Sequence, residues 1–107
     1  LKWDQNFYDN KLGGTGQELV RQMEQPYSVS GEYAWGQNVG AYRGLKRIMH
    51  TGSWVGFTTI YIRFPERRTS IVTFCNSDVI EAMIGTEIQD LVLDQVTDTP
   101  RPPSEDN

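Results

Sequence analysis

A single cysteine, a single histidine and no apolar run approaching about 18 residues set the first limits on this chain. One cysteine excludes a disulfide framework and a cysteine-based zinc site. Cys75 stands in the apolar run Ile71-Val-Thr-Phe-Cys75, so it reads as a buried, inert thiol rather than a reactive one. A lone His50 leaves no convergent ligand set for a metal, and no cofactor is expected. The absence of a long apolar run excludes a helical membrane span. Basic residues are also scarce: the net charge is −4, which argues against a nucleic-acid module with a basic stripe. The densest basic stretches, Arg43 to Arg47 and Arg63 to Arg68, are short and lie beside turn signals. They read as solvated strand ends. There is no initiator methionine, and the chain is expected to be a piece of a longer one.

At 107 residues there is room for one small domain, and three Trp, five Tyr and four Phe supply the bulk for its core. Leu1 to Leu12 mixes aromatic and polar residues without a clean period, and Gly13-Gly14 breaks the chain. Thr15-Gly-Gln-Glu18 matches a capping box, with Leu19, Val20 and Met23 as the apolar stripe of a short helix ending before Pro26. Strand patterns follow. Glu32 to Asn38 alternates, with Gly36 marking a bulge or close approach. Gly40 to Gly44 reads as a hairpin connection and Leu45 to His50 as the second strand. Thr51 to Gly56 reads as a glycine-punctuated loop. Phe57 to Phe64 alternates Thr59, Tyr61 and Arg63 against Ile60, Ile62 and Phe64. After a turn at Pro65 to Arg68, the apolar run Thr69 to Cys75 predicts a central strand.

Asn76-Ser77-Asp78 then offers helix caps, and Ile80, Ile84, Ile88 and Leu91 share one face of a helix of about four turns. From Thr97 onward three prolines and polar residues predict a disordered tail over 97–107, leaving 1–96 as the folded unit. The fold class is α+β: an antiparallel meander of about four strands, a short N-terminal helix, and a C-terminal helix packed on one face.

Tyr33-Ala-Trp-Gly36, His50-Thr-Gly52, Gly56-Phe57, Arg63-Phe-Pro65 and Asn76 occur in an order that resembles the C-terminal third of the serine β-lactamase and penicillin-binding-protein superfamily. The nearest look is to its class C β-lactamase, esterase and D-aminopeptidase branch. Upstream, Lys2-Trp-Asp4, Phe7-Tyr8 and Lys11-Leu12 resemble the segment that precedes this sheet, so the likeness covers residues 2 to about 95. It implies that His50, Thr51, Gly52 and Ser53 line a substrate cleft in acyl-enzyme hydrolysis of β-lactams, D-amino-acid peptides or esters. In that pattern Ser53 supplies a backbone N–H to an oxyanion hole, Gly52 lets the substrate backbone approach, and Thr51 or its neighbours hydrogen-bond substrate. His50 stands where many relatives carry Lys, which fits the peptidase and esterase relatives as well as or better than β-lactam chemistry. The resemblance further implies a small-molecule or peptide substrate, a missing N-terminal partner segment, and a periplasmic or secreted parent. Without it, a lone His at a strand end is a structural hydrogen-bonder.

The superfamily nucleophile sits in a Ser-x-x-Lys motif. The chain has six serines, at 28, 30, 53, 70, 77 and 104, and none has Lys three residues later. This chain alone is therefore expected to be inactive. Tyr8-Asp-Asn10 matches the letters of the second motif, Tyr-x-Asn, but lacks the apolar helix that should follow. A Ser53-His50-Asp triad can be written for almost any chain with one His and many serines and carries no information. The alternative is a non-catalytic binding module, in which an uncovered apolar sheet face drives dimerisation.

Overall fold

The computed structural model describes residues 2–27, 29, 31–77 and 87–103. Its centre is a four-stranded antiparallel sheet in the order β1-β2-β3-β4, a plain meander. The strands are β1 (Asn38–Tyr42), β2 (Leu45–Trp54), β3 (Phe57–Phe64) and β4 (Thr69–Cys75). Helices α1 (Lys2–Asn6) and α2 (Gln17–Met23) precede the sheet and α3 (Glu87–Leu93) follows it. The α+β class holds, with its short N-terminal and its C-terminal helices.

The alternation in β3 organises the layers. Ile60, Ile62 and Phe64 face one way and meet Leu45, Ile71 and Leu93 in the core, with Ile88 and Val92 of α3 packed against them. The opposite face of β3 carries Tyr61 and Arg63, and here α1, α2 and the segment before β1 dock. Asp4 of α1 accepts hydrogen bonds from Tyr61 Oη at 2.6 Å and from the Ser70 hydroxyl. Phe7 lies under the Arg63 guanidinium, 3.5 Å from ring centroid to Cζ. Glu24, just past α2, binds both Arg63 and Lys46. The sheet is thus covered on both faces, where a helix on one face was expected.

Several local expectations are corrected. Lys2–Asn6 is helical despite its lack of period, because α1 is held by the Asp4 contacts and by the edge-on packing of Trp3 against Phe7. Thr15 does not cap α2. Gly16 occupies the N-cap with φ 59°, no side chain caps the helix, and Glu18 is turned to Arg21 at 2.7 Å. Glu32 to Asn38 is not a strand. The Ala34 N–H donates to the Gln37 carbonyl at 2.8 Å and closes a turn around Gly36, leaving one bridge, Tyr33 to Asn38. Strand β1 therefore starts at Asn38, and the connection shrinks to Arg43-Gly44, both at positive φ as a type I′ hairpin requires. The expected loop over Thr51 to Gly56 is strand as far as Trp54, with only Val55-Gly56 turning.

Strand β3 falls where the alternation places it and β4 where the apolar run does, but β2 and β3 are the strands paired on both sides, and β4, expected to be central, lies at the described edge. The apolar density of β4 reflects two covered faces: Ile71 joins the α3 core, while Val72 faces the other layer. Cys75 is half-buried.

The basic residues are not all solvated. Arg43, with 2% of its side chain exposed, pairs with Asp90 at 3.2 Å and Asp94 at 2.9 Å. Its guanidinium also donates to the Thr99 carbonyl. Residues 97–103, expected to begin a disordered tail, carry no helix or strand, yet this contact and the Arg101–Asp94 pair tie their first part to α3 and the β1–β2 turn. The start of the expected C-terminal helix lies outside the described residues. No helix among the described residues is long and apolar enough to cross a membrane.

Candidate functional site

Strand β2 is interior for half its length and an edge for the rest. Its pairing with β1 ends at Asn38 opposite Met49, whereas its pairing with β3 continues to Trp54 opposite Phe57. From His50 to Trp54 one side of the strand therefore has no neighbouring strand among the described residues. The two-residue turn makes Trp54 and Phe57 a hydrogen-bonded pair, so alternate residues Gly52 and His50 also point their main chain at β3. Thr51 and Ser53 then direct their N–H and C=O groups to the open edge.

The four residues singled out in the sequence do not share one side-chain surface. His50 and Gly52 lie on the face that carries Tyr61 and Arg63; Thr51 and Ser53, both exposed, lie on the opposite face. Of the four, only Thr51 and Ser53 present backbone groups to the open edge. A shallow groove of about 400 Å³ crosses the face that carries His50, from β2 to β4, over His50, Gly52, Thr59, Tyr61, Val72 and Phe74. Gly52 is glycine for a reason inside the sheet: a Cβ there would stand 2.6 Å from Thr59 Oγ1, its cross-strand partner.

His50 is exposed and meets Tyr33, whose hydroxyl lies 3.4 Å from Nε2, a long contact in which either group can donate. Tyr33 packs edge-on to Tyr27, and Tyr27 meets Trp35, so an aromatic string leads from His50 along the segment before β1. Behind His50 a second cavity, of about 160 Å³, opens between this string, α1 and the sheet. Trp3, Phe7, Trp35, Ile48, Tyr61 and Arg63 are among its walls.

Arg63 is the feature that sequence reading missed. It is 1% exposed and donates through Nη2 to Glu24 at 3.1 Å and to Gln37 at 2.8 Å. Its Nε and Nη1 have no hydrogen-bond partner among the described residues. The available signal was its position between Ile62 and Phe64 in a strand covered on both faces. Tyr61 beside it is pushed to a higher pKa, first by burial and then by its hydrogen bond to Asp4, so its phenol stays protonated at neutral pH.

Tyr8-Asp-Asn10 has no place in this site. The Asn10 side-chain amide donates to the carbonyls of Leu12 and Gly16, each at 2.7 Å, and tethers the loop ahead of α2. No group of three or more His, Cys, Asp or Glu among the described residues could hold a metal ion. No protein-family model, curated protein or solved structure matches this chain.

Proposed function

We propose that His50 to Ser53 form the substrate-facing strand edge of a β-lactamase-type serine hydrolase, whose Ser-x-x-Lys nucleophile comes from a segment outside these 107 residues. The observation that carries this reading is the open half of β2. The sequence that resembles the superfamily's cleft wall coincides with the stretch of an interior strand that has no neighbouring strand on one side among the described residues. Acyl transfer places a negative oxygen on the tetrahedral intermediate, and fixed backbone donors stabilise it. The Ser53 N–H, aimed at the open edge, is such a donor. The Thr51 N–H and C=O can hold a substrate chain as an added strand, a mode that needs backbone and no particular side chain. That explains why the split of side chains between two faces does not disqualify the motif. His50 reaches the groove as a hydrogen-bonding wall with Tyr33 as its neighbour.

The test is hydrolysis of nitrocefin and p-nitrophenyl acetate by this chain and by a longer product of the same coding region. This chain is expected to show no turnover above buffer, and the longer product is expected to hydrolyse at least one substrate. Ser53→Pro, which removes the N–H, should lower kcat by about 10²-fold or more in the longer product. Turnover by the 107 residues alone, or a longer product without Ser-x-x-Lys, would sink the reading.

A second reading, assembly through the same sheet, is favoured by one observation. Past the cover of α1 and α2, Trp54, Phe57 and Phe74 lie together on the His50 face, 79%, 57% and 79% exposed. A second copy is the expected occupant of that patch, and sedimentation across a concentration series decides. A monomer at every concentration excludes it.

A further inference from the structure

We propose that the pocket between α1, the chain just after it and the β3–β4 connection binds a phosphate dianion, free or as the head of a small monoester. The inference does not rest on the hydrolase reading, since the pocket is formed by this chain alone and shares no residue with β2.

Three observations carry it. Lys2, Lys11 and Arg68 come from separate parts of the chain and line one pocket of about 220 Å³. All three are exposed, so a guest can reach them. The charges there do not balance. Asp9 is the one carboxylate on the wall, and Lys11 holds it at 2.7 Å. The side chains of Lys2 and Arg68 make no ion pair or hydrogen bond among the described residues. Three cations against one carboxylate leave an excess of two positive charges, which a phosphate dianion matches. Most specific is Arg68. It follows the 3₁₀ turn Pro65–Arg67 at φ 46°, a backbone that favours Gly or Asn, so the turn does not account for an arginine. Its guanidinium lies over the Tyr8 ring, 4.5 Å from the centroid. Stacking holds the plane of the fork and leaves its N–H edge for an anion, and such a fork meets phosphate oxygens in pairs.

The rest of the wall fits that guest. Lys11 and Asp9 are both about three-quarters exposed, so their pair contributes little and Lys11 can turn to the anion. Asp4 does not line the pocket and is occupied by the Tyr61 and Ser70 hydroxyls. Burial, then the Asp4 charge, raises the Tyr8 pKa, so its phenol adds no negative charge at neutral pH. A cationic guest would meet three like charges. A monoanion would leave one positive charge unmatched. The pocket exceeds the roughly 150 Å³ that houses a benzene ring, which leaves space for a small ester group beside the phosphate.

The experiment titrates this chain, at low salt and above the second phosphate pKa of about 6, with inorganic phosphate, phenyl phosphate and phenyl sulfate, a monoanion of similar shape. Calorimetry gives affinities, and backbone amide resonances of Lys11 and Arg68 report the place. Phenyl phosphate is expected to bind saturably, about five-fold tighter than phenyl sulfate, and to shift both resonances. If it binds tighter than inorganic phosphate the guest is a monoester; if the two bind alike the guest is the free ion. Arg68→Gly suits the backbone at φ 46°, so the fold should survive while affinity falls about ten-fold. Asp9→Asn removes the one opposing charge and should tighten binding several-fold. Equal affinity for phosphate and sulfate esters, unmoved resonances, undiminished binding in Arg68→Gly, or no gain in Asp9→Asn overturns the proposal.

Discussion

Gly52 and Thr59 face each other across β2 and β3 so closely that a methyl group on Gly52 would come within 2.6 Å of Thr59 Oγ1. Thr59 is β-branched and stiff at χ1, so relief needs a rotamer change or a backbone shift. Gly52→Ala is therefore expected to destabilise the chain by about 1–3 kcal/mol, the usual range for overpacking. Thr59→Ala removes the obstructing oxygen, so Gly52→Ala should cost far less in that background. Denaturant midpoints of the four proteins in this cycle check it; additive effects would remove the steric account of Gly52 and leave only its place at the open edge.

Arg43 joins the β1–β2 turn to α3 and to the chain that follows. It does so at φ 50°, a conformation an L residue adopts at some cost. Asn tolerates that backbone better, so Arg43→Asn separates the guanidinium from the turn. Losing one partner of a largely buried ion pair outweighs the backbone gain, and a loss of about 3 kcal/mol is expected from the denaturant midpoint. Arg43→Lys should fall in between, since it keeps a charge but not the fork that reaches Asp90, Asp94 and Thr99 together.

The alkaline limb of stability should report the Asp4–Tyr61 contact. Burial first, then the Asp4 hydrogen bond and charge, raise the Tyr61 pKa above its usual 10.0. Burial also raises those of Tyr8 and Tyr42. The folded-state pKa lies above the unfolded one, so the stabilisation is fully present below pH 10 and is lost as pH climbs toward the folded value. These three phenols should ionise late, together with alkaline unfolding, in an ultraviolet titration. Asp4→Asn keeps an acceptor but removes the charge, so it should bring the Tyr61 transition to lower pH. An unchanged Tyr61 transition would leave burial as the whole cause.

The meander was legible because β3 and β4 are strongly patterned. Phe57 to Phe64 alternates without interruption, and the clusters at either end of Thr69 to Cys75 are turn formers, so both strands fall at the expected residues. Segments whose conformation depends on contacts elsewhere were read less well. Lys2–Asn6 has no period of its own and becomes helical against Tyr61 and Ser70. Thr51 to Trp54 carries loop residues, yet pairing with Phe57 to Ile60 draws it into β2.

By itself the sequence determined the α+β class, the strand-rich centre, the absence of a Ser-x-x-Lys, and the candidate stretch His50 to Ser53. Only the tertiary structure decided which parts of that stretch can act together. The period of a strand sends His50 and Gly52 to one face and Thr51 and Ser53 to the other, while β1 ends at Asn38, opposite Met49, and leaves the backbone groups of Thr51 and Ser53 without a neighbouring strand among the described residues. It also decided the fate of the charges. Arg63 and Arg43 look like surface residues in one dimension, and they are buried because helices from both ends of the chain cover the sheet. Burial removes water from a guanidinium, and its N–H groups must then be met by protein or by a ligand.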